Sequence, residues 1–135
     1  YVTVDINADS PNSKYIDKQT HFTAYTNKPF QIVENDEYMK FDYILSFEHF
    51  EHIKESTLDI LFQNIKNHSH ECTIVVATAA TFGSIIHPTA WTRDKWNEVL
   101  DENGFELIDD NILNGDNKPC NFELGNTSEL IFNLK

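Results

Sequence analysis

The stretch that most constrains the fold is residues 72–80 (CTIVVATAA), a continuous apolar run of strand length. Strict alternation would mark a strand with one wet face. A run that is apolar almost throughout marks a strand covered on both faces, as in parallel sheets. Its flanks agree. Upstream, residues 56–59 (STLD) open an amphipathic helix with Leu58, Leu61, Phe62 and Ile65 on one face, closed by residues 68–70 (HSH). Downstream, Thr92 is a good N-cap for a second helix, with Trp96, Val99 and Leu100 inward and Gly104 as the stop.

Further strands follow from the same reasoning. Residues 1–6 (YVTVDI) alternate and are rich in β-branched side chains, and Phe41–Phe47 (FDYILSF) is a buried strand after the turn-like acidic stretch 34–40. Residues 105–108 and 130–134 are the last two strands, joined by a Gly/Asn/Pro-rich loop over about 111–126. Residues 21–25 and 30–33 are shorter extended candidates, and 7–20 read as loop. Strands alternating with helices predict an α/β sandwich with a mostly parallel sheet.

At 135 residues the chain suffices for a single domain, and 40% apolar with 13% aromatic content marks it as globular. Ten Lys and Arg against 22 Asp and Glu give a formal charge of -12. A nucleic acid would meet net repulsion, because such binding depends on cationic side chains displacing counterions. A small molecule, a glycan or a protein is the expected partner. Cys72 opens an apolar run and Cys120 sits in a polar loop, which argues against a disulfide framework and for a reducing, cytoplasmic setting. No apolar run approaches the ~18 residues a membrane span needs. Tyr1 lies inside a strand-like alternation with no Met before it, so an N-terminal segment outside these 135 residues is expected.

Three segments, in order, resemble the class I S-adenosylmethionine-dependent methyltransferases. Residues 1–7 (YVTVDIN) are similar to that fold's second strand, whose terminal carboxylate holds the cofactor ribose; Asp5 occupies the place. Residues 41–53 (FDYILSFEHFEHI) resemble the fourth strand and its exit, with Asp42, Ser46, Glu48, Glu51 and His52 in register. Residues 87–109 (HPTAWTRDKWNEVLDENGFELID) resemble the stretch after the fifth strand, with His87, Trp91, Thr92, Arg93, Gly104 and Phe105 aligned. The resemblance implies a Rossmann-like methyltransferase sandwich with an antiparallel C-terminal strand and the first strand missing from this chain. It implies S-adenosylmethionine as cofactor, held by Asp5, Ile6, Ser46 and Phe47. The family's G-x-G-x-G loop is absent: the four glycines are Gly83, Gly104, Gly115 and Gly125. Asp36 is the nearest candidate for an adenine-binding carboxylate. With the first strand absent, the strands at Tyr1 and Phe41 would face each other across a gap, so either an upstream segment or a rearranged sheet is expected.

Residues 48–52 read E-x-x-E-H. On a helical turn Glu48 and Glu51 would face one way, with His52 adjacent. Two carboxylates and an imidazole suit Mg²⁺ or Mn²⁺ with open positions for a substrate diol. The resemblance extends to two relatives that use such a set with one distant His: the ubiquinone-pathway O-methyltransferases and the small-RNA 3′-end 2′-O-methyltransferases. His87 resembles that distal ligand. Two other readings stand beside this one. Glu51 caps the following helix, or His49 or His52 acts as a general base. His68 and His70 read as solvated loop residues, and Trp91 and Trp96 as core. The implied activity is O-methylation of a small hydroxylated acceptor, a sugar or a phenol. The alternative is an inactive methyltransferase-like domain that binds or assembles.

Overall fold

A computed structural model describes residues 2–5, 20–80, 83–108 and 127–135. Ile6, Cys120 and the Gly/Asn/Pro-rich loop lie outside these. The elements are β1 (Val2–Asp5), β2 (Thr20–Thr23), β3 (Val33–Glu34), β4 (Glu37–Tyr38), β5 (Phe41–Phe47), α1 (Leu58–Asn67), β6 (Ser69–Ala80), α2 (Arg93–Glu102), β7 (Phe105–Leu107) and β8 (Thr127–Leu134). Short 3₁₀ turns at Phe50–His52 and Glu55–Thr57 lead from β5 into α1.

Four strands form the main sheet in the order β5-β6-β8-β7. β5 and β6 are parallel, and β8 is antiparallel to both β6 and β7. Three strands therefore run one way, and only the C-terminal strand is reversed, as expected from the sequence. β1 and β2 pair in parallel as a separate two-stranded sheet. The free edge of β5 has no ladder partner among the described residues, and β1 does not supply one.

The core forms where periodicity placed it. Leu58, Leu61, Phe62 and Ile65 of α1 and Trp96, Val99 and Leu100 of α2 are buried together against Val75, Ala77 and Ala79 of β6. Phe50, Ile53, Phe105, Leu130 and Phe132 complete this cluster. On the other face of β6, Val76, Thr78 and Ala80 are also buried, the double covering that an unbroken apolar run implies. At the β5 edge, in contrast, Tyr43 and Leu45 are 65% and 56% exposed. Thr92 caps α2 by accepting from the Lys95 amide at 3.4 Å. Gly104 takes φ +81 after its last turn, a conformation that costs glycine little.

Several boundaries differ from the sequence reading. β6 begins at Ser69 rather than residue 72, because its polar first residues continue the ladder with Phe41 across an irregularity in register. Thr73, buried there, donates to Phe41 O at 2.5 Å. The acidic stretch 34–40 forms most of the β3–β4 hairpin, whose turn residues Asn35 and Asp36 have φ of 53° and 66°, the left-handed pair that a two-residue hairpin loop requires. Asp36 is thus an exposed turn residue.

His68 is the larger correction. It is buried, not solvated. Its ring stacks on Phe30 and Phe41 and meets Tyr38 edge-on. Its Nδ1–H donates to Asn64 O at 2.7 Å, and its Nε2 accepts from the Ile32 amide at 3.0 Å. Neighbouring Asn64 donates to Thr26 O and Lys28 O, both at 2.9 Å, and accepts from the Phe30 amide at 3.3 Å. Two polar side chains at the end of α1 thus satisfy the backbone of the incoming segment, which could not otherwise be buried cheaply.

Burial holds the His68 pKa below its ordinary value, against the raising effect of the bond to Asn64, and the Lys40 charge lowers it further. The folded chain therefore binds fewer protons here than the unfolded chain. The stability this contributes is present above about pH 6.5 and is lost as pH falls through that value towards the lower folded one. Urea denaturation across about pH 7 to pH 5 should show this loss, and His68→Gln, which keeps an acceptor for Ile32, should flatten it. Parallel pH profiles for the two proteins would refute the assignment.

Candidate active site

The parallel β5–β6 ladder ends with Ser46 opposite Ala77 and Phe47 opposite Thr78. The chain then bends sharply. Glu48 adopts φ +47, and its amide lies 3.0 Å from both Thr78 O and Thr78 Oγ1. That left-handed residue breaks the helical turn on which Glu48 and Glu51 would have shared a face. Glu48 is exposed and does not join the cluster beyond it.

What the structure does bring together is Glu51, His52 and His87, with one potential ligand atom of each within 4.8 Å of the others. Glu51 is 1% exposed, and its Oε2 has no hydrogen-bond partner among the described residues. A buried carboxylate oxygen without a donor is costly, so a cation or other donor beside it would relieve a real penalty. The His52 and His87 rings meet edge to face with centroids 4.6 Å apart. His52 Nδ1–H donates to Ile86 O at 2.7 Å. This fixes the tautomer and leaves Nε2 with the free lone pair, the arrangement that orients imidazoles as metal ligands or bases.

Thr89 builds the site, and nothing in the sequence pointed to it. It is fully buried, with Oγ1 at 2.8 Å from both Phe50 O and Ile53 O, and its amide donates to Glu51 O at 3.3 Å. One residue thus ties the segment carrying His87 to the turn carrying Glu51 and His52. A threonine two residues after a histidine carries no signal until the 3₁₀ turn it meets is known.

The remaining candidates take the following places in the fold. His49 is half-buried, with Nε2 2.5 Å from Thr26 Oγ1, so it is engaged in holding the segment before β3. Asp5 is the last residue of β1, paired with Thr23. Ser46 is half-buried near the end of β5, and Phe47 ends that strand. Trp91 and Trp96 pack together at 4.9 Å, with Trp96 fully buried, which bears out a core role. Cys72 is a free, exposed thiol. No helix among the described residues is long and apolar enough to cross a membrane.

No family model matches the chain, and neither does any curated protein. Solved structures do match. LepI in complex with SAM superimposes with a TM-score of 0.63 at 9% identity, over 99% of this chain and 36% of that one. A structure described as a pericyclic reaction enzyme gives 0.58 at 10% identity, over 87% of this chain and 31% of its own. StiE O-MT fits more loosely, at 0.49 and 18% identity over 84% of this chain and 48% of its own. The chain spans about a third of the length of the first two structures. At these identities the likeness is one of fold: an α/β fold shared with a protein that binds SAM.

The Thr89 staple makes a sharp expectation. Thr89→Val keeps the shape but removes the hydroxyl proton shared by the Phe50 and Ile53 carbonyls, of which Phe50 O keeps the Ile53 amide, and should cost about 1–3 kcal/mol in urea unfolding. Thr89→Ser should recover most of that loss. A valine variant as stable as the parent would show that other contacts hold the two segments.

Proposed function

We propose that the chain belongs to an S-adenosylmethionine-dependent methyltransferase that acts on the oxygen of a small hydroxylated acceptor, with Glu51, His52 and His87 at the reacting end. The convergence of those three residues, one of them a buried carboxylate with an unpartnered oxygen, carries the reading. It supports the reading because such a group needs a reason to be there. The fold alone could not carry it, since one neighbour is described as a pericyclic reaction enzyme and a fold hosts many chemistries.

A divalent cation fits the donor set. Ligands sharing one ion at bond lengths of ~2.1 Å lie up to ~4.2 Å apart, so a separation within 4.8 Å needs only a small closure. Two imidazoles with one carboxylate suit Mn²⁺ better than Mg²⁺, which prefers oxygen. A cation held there would lower the pKa of an acceptor hydroxyl and orient it. Without a cation, His52, its tautomer fixed by Ile86 O, offers Nε2 to receive the acceptor's proton; with a cation held there, the same lone pair would be a ligand instead. The cofactor, when bound, supplies an electrophilic methyl group. Asp5 at the end of β1 would accept from its ribose hydroxyls, the role a strand-terminal carboxylate plays towards a vicinal diol.

A second reading is an inactive domain that keeps the fold for binding or assembly. These 135 residues hold no G-x-G-x-G loop, so on their own they give the cofactor's methionine half no such loop to sit against. The two readings share one expectation: this chain alone binds S-adenosylmethionine weakly, and a low-micromolar dissociation constant by calorimetry would contradict it. They part over the cation. If the site is functional, Mn²⁺ should bind with one-to-one stoichiometry, and Glu51→Gln and His87→Ala should each weaken it by about tenfold or more. Unaltered binding in both variants would remove the cation site and leave Glu51 a purely structural role.

A further inference from the structure

The turn that presents its carbonyl to His52 also carries the most exposed apolar side chains among the described residues. Ile85 is 100% exposed and Ile86 66%. The turn is closed by the His87 amide donating to Ser84 O at 3.1 Å, which places Ile85 and Ile86 at its two central positions. Asn, Asp, Gly, Ser and Pro are the residues such positions favour, and β-branched side chains gain nothing there from the backbone. Ile85 buries none of its surface in the fold, so core packing does not explain it either. Yet the backbone of this turn is held firmly, because Ile86 O accepts from His52 Nδ1–H at 2.7 Å. An apolar tip is thereby fixed beside a cluster of one carboxylate and two imidazoles. Apolar walls with a few convergent polar groups are the usual composition of a small-molecule site.

We infer that Ile85 and Ile86 form the docking lip for the acceptor, and that the acceptor is a phenol rather than a sugar. This rests on the reading of Glu51, His52 and His87 as the acceptor site. A phenol presents a hydroxyl at one edge and a flat apolar ring behind it, so the hydroxyl reaches His52 while the ring covers the isoleucines. A sugar carries hydroxyls around its ring, and pressing it against Ile85 and Ile86 would strip water from groups that find no partner there. Covering a few tens of Å² of isoleucine surface is worth about tenfold in affinity.

Isoleucine-methyl NMR on this chain, titrated with para-ethylphenol and separately with methyl mannoside, tests the inference without requiring turnover or a cation. The phenol should shift the methyls of Ile85 and Ile86, and the mannoside should not. Ile85→Ser with Ile86→Ser should weaken phenol binding about tenfold, Ile85→Leu should preserve it, and Mn²⁺ affinity should be the same in all three proteins. Since Ile85 is wholly exposed and Ile86 is 66% exposed, these changes remove little packing. Phenol shifts elsewhere only, equal phenol binding by the serine variant, or equal response to the mannoside would each overturn the inference. So would methyl shifts that follow protein concentration alone, which would mean the tip is covered by a second copy of the chain. Lip shifts in a protein that binds no Mn²⁺ would count against the cation and for the lip.

Discussion

The parallel ladder between β5 and β6 is the constraint on which the rest depends. Strands running the same way about 4.8 Å apart deliver their carboxyl ends side by side, so the residues that leave them become neighbours however distant in sequence. That is how Glu51 and His52, after β5, come to share a small volume with His87, after β6. An antiparallel pairing of the same strands would place the two exits at opposite ends of the sheet. The parallel direction in turn requires a crossover long enough to return the chain, and α1 supplies it. The helix can do so because Leu58, Leu61, Phe62 and Ile65 give it a face to bury against the sheet.

The same helix sets the surroundings through its polar residues. Asn64 and His68 are buried; Asn64 and the His68 Nε2 are matched to backbone atoms of the preceding segment, and the His68 Nδ1–H to Asn64 O of the helix itself. Thr26, whose carbonyl Asn64 holds, contacts His49 at the exit of β5. Helix α1, the incoming segment and the start of the site are thus joined by polar contacts that are satisfied one by one. Networks of this kind specify position more than they add stability, since an unmatched member would cost more than a matched one gains.

The strands of the main sheet, the two helices and the core were legible in the sequence because burial periodicity follows from backbone geometry, and Thr92 and Gly104 mark helix ends for local reasons. Convergence of Glu51, His52 and His87 was legible for the same reason that β5 and β6 were: knowing that two strands are parallel fixes where their exits lie. Glu48 was misjudged because three-residue spacing implies a shared face only on a helix, and its φ of +47 removes the helix. His68 looked like a loop residue because local sequence cannot show that Phe30, Tyr38 and Phe41 will enclose it. Thr89 was invisible altogether. Its role is written in the carbonyls of Phe50 and Ile53, not in its own neighbours.

Two departures from folding economy meet at the exits of β5 and β6, and their coincidence argues for function there. Glu51 buries a carboxylate with an unpartnered oxygen, and Ile85 leaves a whole isoleucine in water. Either could occur singly without meaning. Trp96 also buries an unpartnered atom, its indole Nε1, but that atom is a neutral donor carried by a ring whose burial contributes far more than the lost bond costs. Glu51 has no comparable compensation, because its short aliphatic stem contributes little and its head is the expensive part. Ile85 is the reverse case, with apolar surface that folding leaves unused. A site that holds a polar reacting group against an apolar body would make use of both, and His52, bonded to Ile86 and clustered with Glu51, physically joins them. Sequences that agree with their fold at most positions tend to depart from it where something other than folding is being selected.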